Sequence, residues 1–315
     1  MSPDDLWSIG ELAEQAGVTV KTVRFYSDRG LLPESGRSSG GHRRYGPEAL
    51  DRLRLIRSLR SLDLPVSEVG RILGREDASR ENALEDAIAG RLRELGSQLA
   101  ALRWREAALQ LLRDCTAEER TDRLRLIGAV GTPPSTAPLA RFWRFLLPAR
   151  LPARLRGAII EAAVPQPPAD PTPGQVLAFA RLHALTTGVR LGADLCRPEF
   201  RCAGDCYRPV VLYDGLGEAY ALASGDLRAR RPPQQGDALD CFVAAHAAAA
   251  GLRDSSDFRQ QLSGLLVLTA DPLVDRYWRL AGELTAPPSG PAEPTHGSAH
   301  DWLRAALDAE LAAAG

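Results

Sequence analysis

Two sets of side chains in this 315-residue sequence have types and spacing that suit chemistry. The first runs Thr19, Lys21, Thr22, Arg24, Phe25 and Tyr26, then Arg37, then His42-Arg43-Arg44-Tyr45. Cations, hydroxyls and aromatics so arranged suit contact with base edges and phosphate oxygens of a duplex. The second set is Cys196, Cys202 and Cys206, three thiols close enough in sequence to supply soft metal ligands. Their spacing is not that of a zinc ribbon, and no His lies beside them. They stand as candidates for metal or redox sensing, and the sequence assigns neither a metal nor a cofactor. No Walker loop, nucleotide-binding G-x-G-x-x-G, H-E-x-x-H or G-x-S-x-G is present, so the chain reads as a non-enzyme. The histidines His42, His183, His246, His296 and His300 are scattered. His183 and His246 fall in apolar helical segments and are expected to be hydrogen-bonded core residues.

The elements that would position the first set follow from local signals. Ile9, Leu12, Ala13 and Ala16 recur at helical spacing, Gly17 supplies a left-handed stop, and Thr19 offers an N-cap for the next helix. Val20 and Val23 give that second helix an inward face, which leaves Lys21, Thr22, Arg24 and Tyr26 to project. A helix–turn–helix displaying such residues enters a major groove. Residues 34–46 form a Gly/Ser loop between Arg37 and Arg43, suited to lie along phosphates. Pro47 starts a third helix with Leu50, Leu53, Ile56, Leu59 and Leu62 on one side. Arg52, Arg54, Arg57 and Arg60 lie on the other, and some of these, Arg57 among them, are expected to reach phosphates. Asp63-Leu64-Pro65 ends it before a short fourth helix. Residues 20–60 hold ten basic and four acidic side chains, the local footprint of a DNA-facing module within a chain of net charge −1.

The run Thr22-Val23-Arg24-Phe25-Tyr26-Ser27-Asp28-Arg29-Gly30-Leu31-Leu32-Pro33, then Arg37, then Gly41-His42-Arg43-Arg44-Tyr45, resembles the signature of the MerR family of bacterial transcription regulators. The resemblance covers residues 7–75 and continues as a pattern to about 113. Ser27 departs from it, because the family usually carries Glu there. A missing carboxylate is expected to loosen local packing without removing DNA contacts. The resemblance implies a winged helix–turn–helix over 7–75, a wing contacting the DNA backbone, and an antiparallel dimer helix over 80–114. It also implies a promoter that the dimer untwists and bends, so that RNA polymerase is engaged indirectly, through the DNA.

The residues themselves support a long helix there. Ile88, Leu92, Leu95, Leu99 and Leu102 recur at steps of four and three, with Leu84 before and Leu109 after. Such a seam needs a partner, so a homodimer and a pseudo-palindromic double-stranded site are expected. A charged segment, 118–123, and a Pro-rich linker, 132–138, lead to a C-terminal region, 139–315, large enough to bury its own core. Its pattern is helical over 139–147, 151–164, 174–195, 236–252, 257–269 and 272–285, with a final amphipathic helix after 298. Residues 209–223 fit either a helix or a short hairpin. The fold class is therefore mainly α.

Three readings of the C-terminal region stand open. One is a pocket for a small organic effector, with Trp143, Tyr207, Tyr213, Tyr220 and Trp278 as candidate walls. Another is thiol-based metal or redox sensing at the three clustered cysteines. The third is a domain for protein–protein contacts only. No apolar run reaches membrane-span length and the amino end is acidic, so no membrane partner and a cytoplasmic location are expected. Five cysteines in total, an odd number, argue against a disulfide framework.

Overall fold

The computed structural model describes residues 6–75, 77–188, 207–290 and 292–314. Cys196, Cys202 and Cys206 lie outside the described residues. The described chain is mainly α and divides into two compact units, Met1–Ser97 and Gln98–Gly315.

The first unit opens with strand β1 (Trp7–Ser8), helix α1 (Ile9–Ala16) and helix α2 (Val20–Asp28). Ser8 and Glu11 close a capping box on α1, with the Ser8 amide donating to Glu11 at 2.6 Å. Gly17 ends α1 at φ 62°, where an L side chain is strained, and Thr19 caps α2 through the Thr22 amide. Strands β2 (Gly36–Arg37) and β3 (Arg43–Tyr45) follow, then α3 (Pro47–Ser61) and α4 (Val66–Leu73). The three strands form an antiparallel sheet in the order β1-β3-β2, pairing Trp7 with Tyr45 and Gly36 with Arg44. Leu12, Val23, Tyr26, Tyr45, Leu53, Ile56, Leu64 and Ile72 meet in one core beneath it.

Helix α5 (Asp77–Arg113) is 37 residues long. Ala83 and Ala87 are buried in the core of the first unit, and Leu84, expected on the dimer seam, packs half-buried against the same core. The reason is angular: Leu84 is one residue from Ala83 and three from Ala87, on the edge of the stripe that faces α3 and α4's core. From Leu92 to Leu99 every residue is exposed.

The second unit contains α6 (Ala117–Gly128), α7 (Ala137–Leu146), α8 (Ala153–Ala163), α9 (Pro173–Gly188), α10 (Pro209–Arg228), α11 (Asp237–Ala250), α12 (Ser256–Thr269), α13 (Pro272–Thr285) and α14 (His296–Ala314). The charged segment near 118 is thus helical, started by a capping box between Thr116 and Glu119. Residues 209–223 belong to one helix, α10, so the hairpin alternative falls. Two cores fill the unit. Trp104, Ala107 and Leu111 of α5 pack with Phe142, Phe179, Tyr277 and Leu284 in one, and α10, α11, α12 and α14 enclose the other. Gln175, buried in α9, donates to the carbonyls of Leu284 (3.0 Å) and Ala286 (2.9 Å), which satisfies the open end of α13. No described helix is long and apolar enough to cross a membrane.

Candidate nucleic-acid interface

Helix α2 and the β2–β3 wing carry most of the residues that sequence selects for DNA contact. Thr19 is committed locally: its hydroxyl accepts from the Thr22 amide (3.2 Å) and lies 2.9 Å from the Thr22 hydroxyl. Lys21 and Arg24 are exposed, and Thr22 is half-buried. Phe25 is 41% exposed, and the Arg29 guanidinium sits 3.7 Å from its ring centroid, a cation–π pair that holds both at the end of the helix. Val20, expected inward, is 40% exposed.

Two aromatics do not sit where sequence puts them. Tyr26 is buried, because it lies three residues after Val23 and shares its inward face. Tyr45 is fully buried, and its hydroxyl donates to Ser27 Oγ at 2.9 Å. Neither ring projects from the unit as sequence led one to expect: Tyr26 packs in the core, and Tyr45 does too, with its hydroxyl bonded to Ser27.

Ser27 does not loosen this region. Its hydroxyl oxygen accepts from both Tyr45 and Arg43, the latter at 3.0 Å. Arg43 also donates to Asp28 Oδ1 at 2.6 Å and lies 3.5 Å from Glu34 Oε2. Asp28 beside it holds the Arg43 guanidinium above the ordinary arginine range. Arg37 pairs with Glu34 at 3.1 Å. His42 is exposed at the wing tip, in a turn closed by Ser38 N to His42 O (2.8 Å) with Gly41 at φ 77°. Arg44 is half-buried, 3.9 Å from Glu11.

The arginines of α3 serve a different purpose from the one expected. Arg52 donates to the carbonyls of Leu31 (2.7 Å) and Leu73 (2.9 Å), Arg57 to that of Ala16, and Arg60 to that of Leu64. Ala16 and Leu73 end α1 and α4, where carbonyls lack intrahelical partners, and a guanidinium fork supplies them. Arg57 therefore ties α3 to α1 before it can do anything else. Arg54 faces solvent and pairs with Asp51.

In the second unit the candidate aromatics fall into two groups, Trp143 with Trp278 and the three tyrosines Tyr207, Tyr213 and Tyr220. Trp143 is buried among Tyr277 (5.3 Å between rings), Trp278 (5.2 Å) and Phe142 (6.0 Å), so it is core. Tyr207, Tyr213 and Tyr220 pack half-buried against the other core, and the Tyr220 hydroxyl lies 3.2 Å from His300 Nδ1. Trp278 lines an open cleft of about 770 Å³ with Asp275, Arg279, Glu293 and Asp301 around it. A second cavity of about 330 Å³ has apolar walls from Trp104, Ala108, Leu112, Ile127, Val130 and Val176. Sequence reasoning missed this one, because its walls are mostly ordinary aliphatics drawn from three separate helices and a loop.

Burial lowers the histidines of this unit: His246 to about 3 and His300 to about 4, with His183 and His296 also lowered. His183 Nδ1 and His246 Nε2, one ring nitrogen of each, are buried without a hydrogen-bond partner among the described residues. Cys115 is buried and Cys241 half-buried. Among the described residues no group of three His, Cys, Asp or Glu side chains could hold a metal ion.

Residues 7–76 match the MerR HTH family regulatory protein. The HTH-type transcriptional regulator ZntR homolog of Haemophilus influenzae is 35% identical over 121 residues, which cover 38% of this chain and 90% of that protein. The HTH-type transcriptional activator TipA of Streptomyces coelicolor is 40% identical over 97 residues, 29% of this chain and 38% of TipA. Among solved structures, the transcription regulator PbrR691 from Ralstonia metallidurans CH34 in complex with lead(II) shares 37% identity over 35% of this chain and 89% of its own, at a TM-score of 0.30. An amino-terminal helix–turn–helix with its wing, matched by a relative along nine-tenths of that relative's length, settles the assignment: the chain belongs to the MerR family of DNA-binding transcription regulators.

Proposed function

We propose that the protein is a homodimeric, effector-responsive regulator of the MerR type that binds a pseudo-palindromic promoter site. Residues 7–75 read the DNA, residues 80–114 pair with a second copy, and residues 139–315 sense a small organic molecule. Lys21, Thr22 and Arg24 meet base edges, and Arg37, His42 and Arg44 meet phosphates.

The observation that carries this reading is the seam of α5. Ile88, Leu92, Leu95, Leu99, Leu102 and Leu109 are all exposed in the single chain, between 40% and 68%. A stripe of large apolar side chains at coiled-coil spacing is stable in water only when something covers it. A second copy supplies an identical stripe, and two-fold symmetry then presents two α2 helices to one face of a duplex.

The dimer distorts its promoter, at a cost on the order of 1–6 kcal/mol, and the effector-bound form offsets that cost. RNA polymerase responds to the altered promoter rather than to the protein directly. The apolar cavity of about 330 Å³ supports the effector reading, since it is of a size for a small organic molecule and is walled partly by α5 itself through Trp104, Ala108 and Leu112.

Selection of genomic DNA fragments on the purified protein, followed by footprinting, tests the proposal. The expected result is one protected site with two half-sites, lying between the recognition elements of a promoter. Protection of a single half-site by a monomer, or no salt-sensitive sequence preference at all, would overturn it.

A further inference from the structure

The last turn of α2 meets β3 through polar contacts that turn one wing arginine back toward protein. Arg43 donates to Asp28 Oδ1 (2.6 Å) and Ser27 Oγ (3.0 Å), with Glu34 Oε2 3.5 Å from its Nε. Tyr45, two residues along the same strand, reaches the same Ser27 oxygen at 2.9 Å. The paired part of the wing is short, since only Gly36 with Arg44 and Arg37 with Arg43 are in register. So short a ribbon has little of its own to fix its angle, and the contacts to Ser27 and Asp28 add to the constraint that the pairing of β3 with β1 supplies.

We propose that Arg43 is a positioning residue: through Asp28 and Ser27 it latches the wing to the recognition helix, and it is not one of the phosphate contacts. Two carboxylates already satisfy its charge, so moving it onto a phosphate would strip both. Arg44 differs, with Glu11 no closer than 3.9 Å. The inference rests on the wing lying beside the duplex, as in the function proposed above.

The two roles predict opposite signs for one substitution. If Arg43 contacts phosphate, Asp28→Asn removes a competing anion near the DNA and strengthens binding. If Arg43 is a latch, Asp28→Asn frees the wing and weakens binding to the selected site, by an expected factor of about ten, despite deleting a negative charge. Asp28→Glu should restore most of it. The salt dependence separates the roles again, because the slope of log affinity against log salt counts phosphate contacts at ~0.9 each. Arg43→Gln is expected to weaken binding with the slope unchanged, whereas Arg44→Gln lowers the slope. Should Arg43→Gln fail to fold by circular dichroism, Arg43→Lys serves, since an ammonium cannot span Asp28, Ser27 and Glu34 together. It weakens binding like Gln on the latch reading and preserves it on the contact reading. Tighter binding by Asp28→Asn, a lower slope for Arg43→Gln, or binding preserved at the wild-type level in Arg43→Lys overturns the latch. An unchanged slope for Arg44→Gln, with Asp28→Asn still weakening binding, counts against the wing's phosphate role and leaves the latch standing.

Discussion

Ser27 Oγ accepts from two donors, and deleting one shows how much the arrangement contributes. Tyr45→Phe keeps the buried ring and removes only its hydroxyl. Ser27 then retains Arg43, and the site loses one partly buried hydrogen bond, worth about 1 kcal/mol. A thermal melt should show a small drop for the DNA-binding unit. A loss several times larger would mean the hydroxyl organises more than this contact. At this scale the sequence was legible where the signal is local. Thr19 as a cap and Gly17 as a left-handed stop needed only their neighbours. Tyr26 was misread although its signal was present, since Val23 and Tyr26 are three apart and share a face. The α3 arginines could not be read correctly. The carbonyls that Arg52 and Arg57 serve belong to residues 21 and 41 positions away, and nothing in their own segment announces them.

At the scale of elements, helix approach in the second unit depends on missing side chains and on uncharged ones. A Cβ built on Gly297 of α14 would lie 2.2 Å from Trp278 Cγ, and Trp143 and Tyr277 pack against the same ring. Gly297→Ala should therefore cost on the order of 1–3 kcal/mol, the usual penalty for overpacking, in a melt of the full chain. Nearby, His246 and His300 sit around Phe242, with Tyr220, Asp275 and Arg304 as the polar neighbours of His300. Their folded values of about 3 and about 4 lie below the ordinary histidine value of 6.5, so between those limits the unfolded chain binds more protons. Stability should fall as pH drops from 6.5, by on the order of 1–2 kcal/mol per histidine at pH 5, and level off below the folded values. Asp275 and Asp301, both raised by burial, act in the opposite sense at lower pH. A His246→Asn, His300→Asn variant should flatten the profile between pH 7 and 5, and an unchanged slope would show that these two groups do not govern it. Helix existence here was legible from periodicity, whereas the gathering of His246, His296 and His300 was not, because α11 and α14 are separated by two other helices in sequence.

On the scale of the whole molecule, the exposed seam of α5 decides what the functional unit is. Leu95 and Leu99 lie in the stretch where every residue is exposed, so neither supports a core of the single chain. Substituting both with Glu should leave the melt of each unit near wild type. Fully burying an exposed leucine contributes roughly 1.5–3 kcal/mol, Leu95 and Leu99 have about half of that surface left to bury, and two copies of each are involved, so the dimer would lose at least about 3 kcal/mol before any repulsion among four new carboxylates. That corresponds to a dissociation constant raised by at least about 10²-fold. Sedimentation at micromolar concentration should then report a monomer where the wild type is a dimer. Binding to a full two-half-site operator should fall to the level of a single half-site, with the salt slope roughly halved because half the phosphate contacts are gone. A Leu95→Glu, Leu99→Glu protein that still sediments as a dimer would place the interface elsewhere. One that is monomeric yet binds the full site as tightly as wild type would show that α5 pairing does not set the spacing of the two recognition helices.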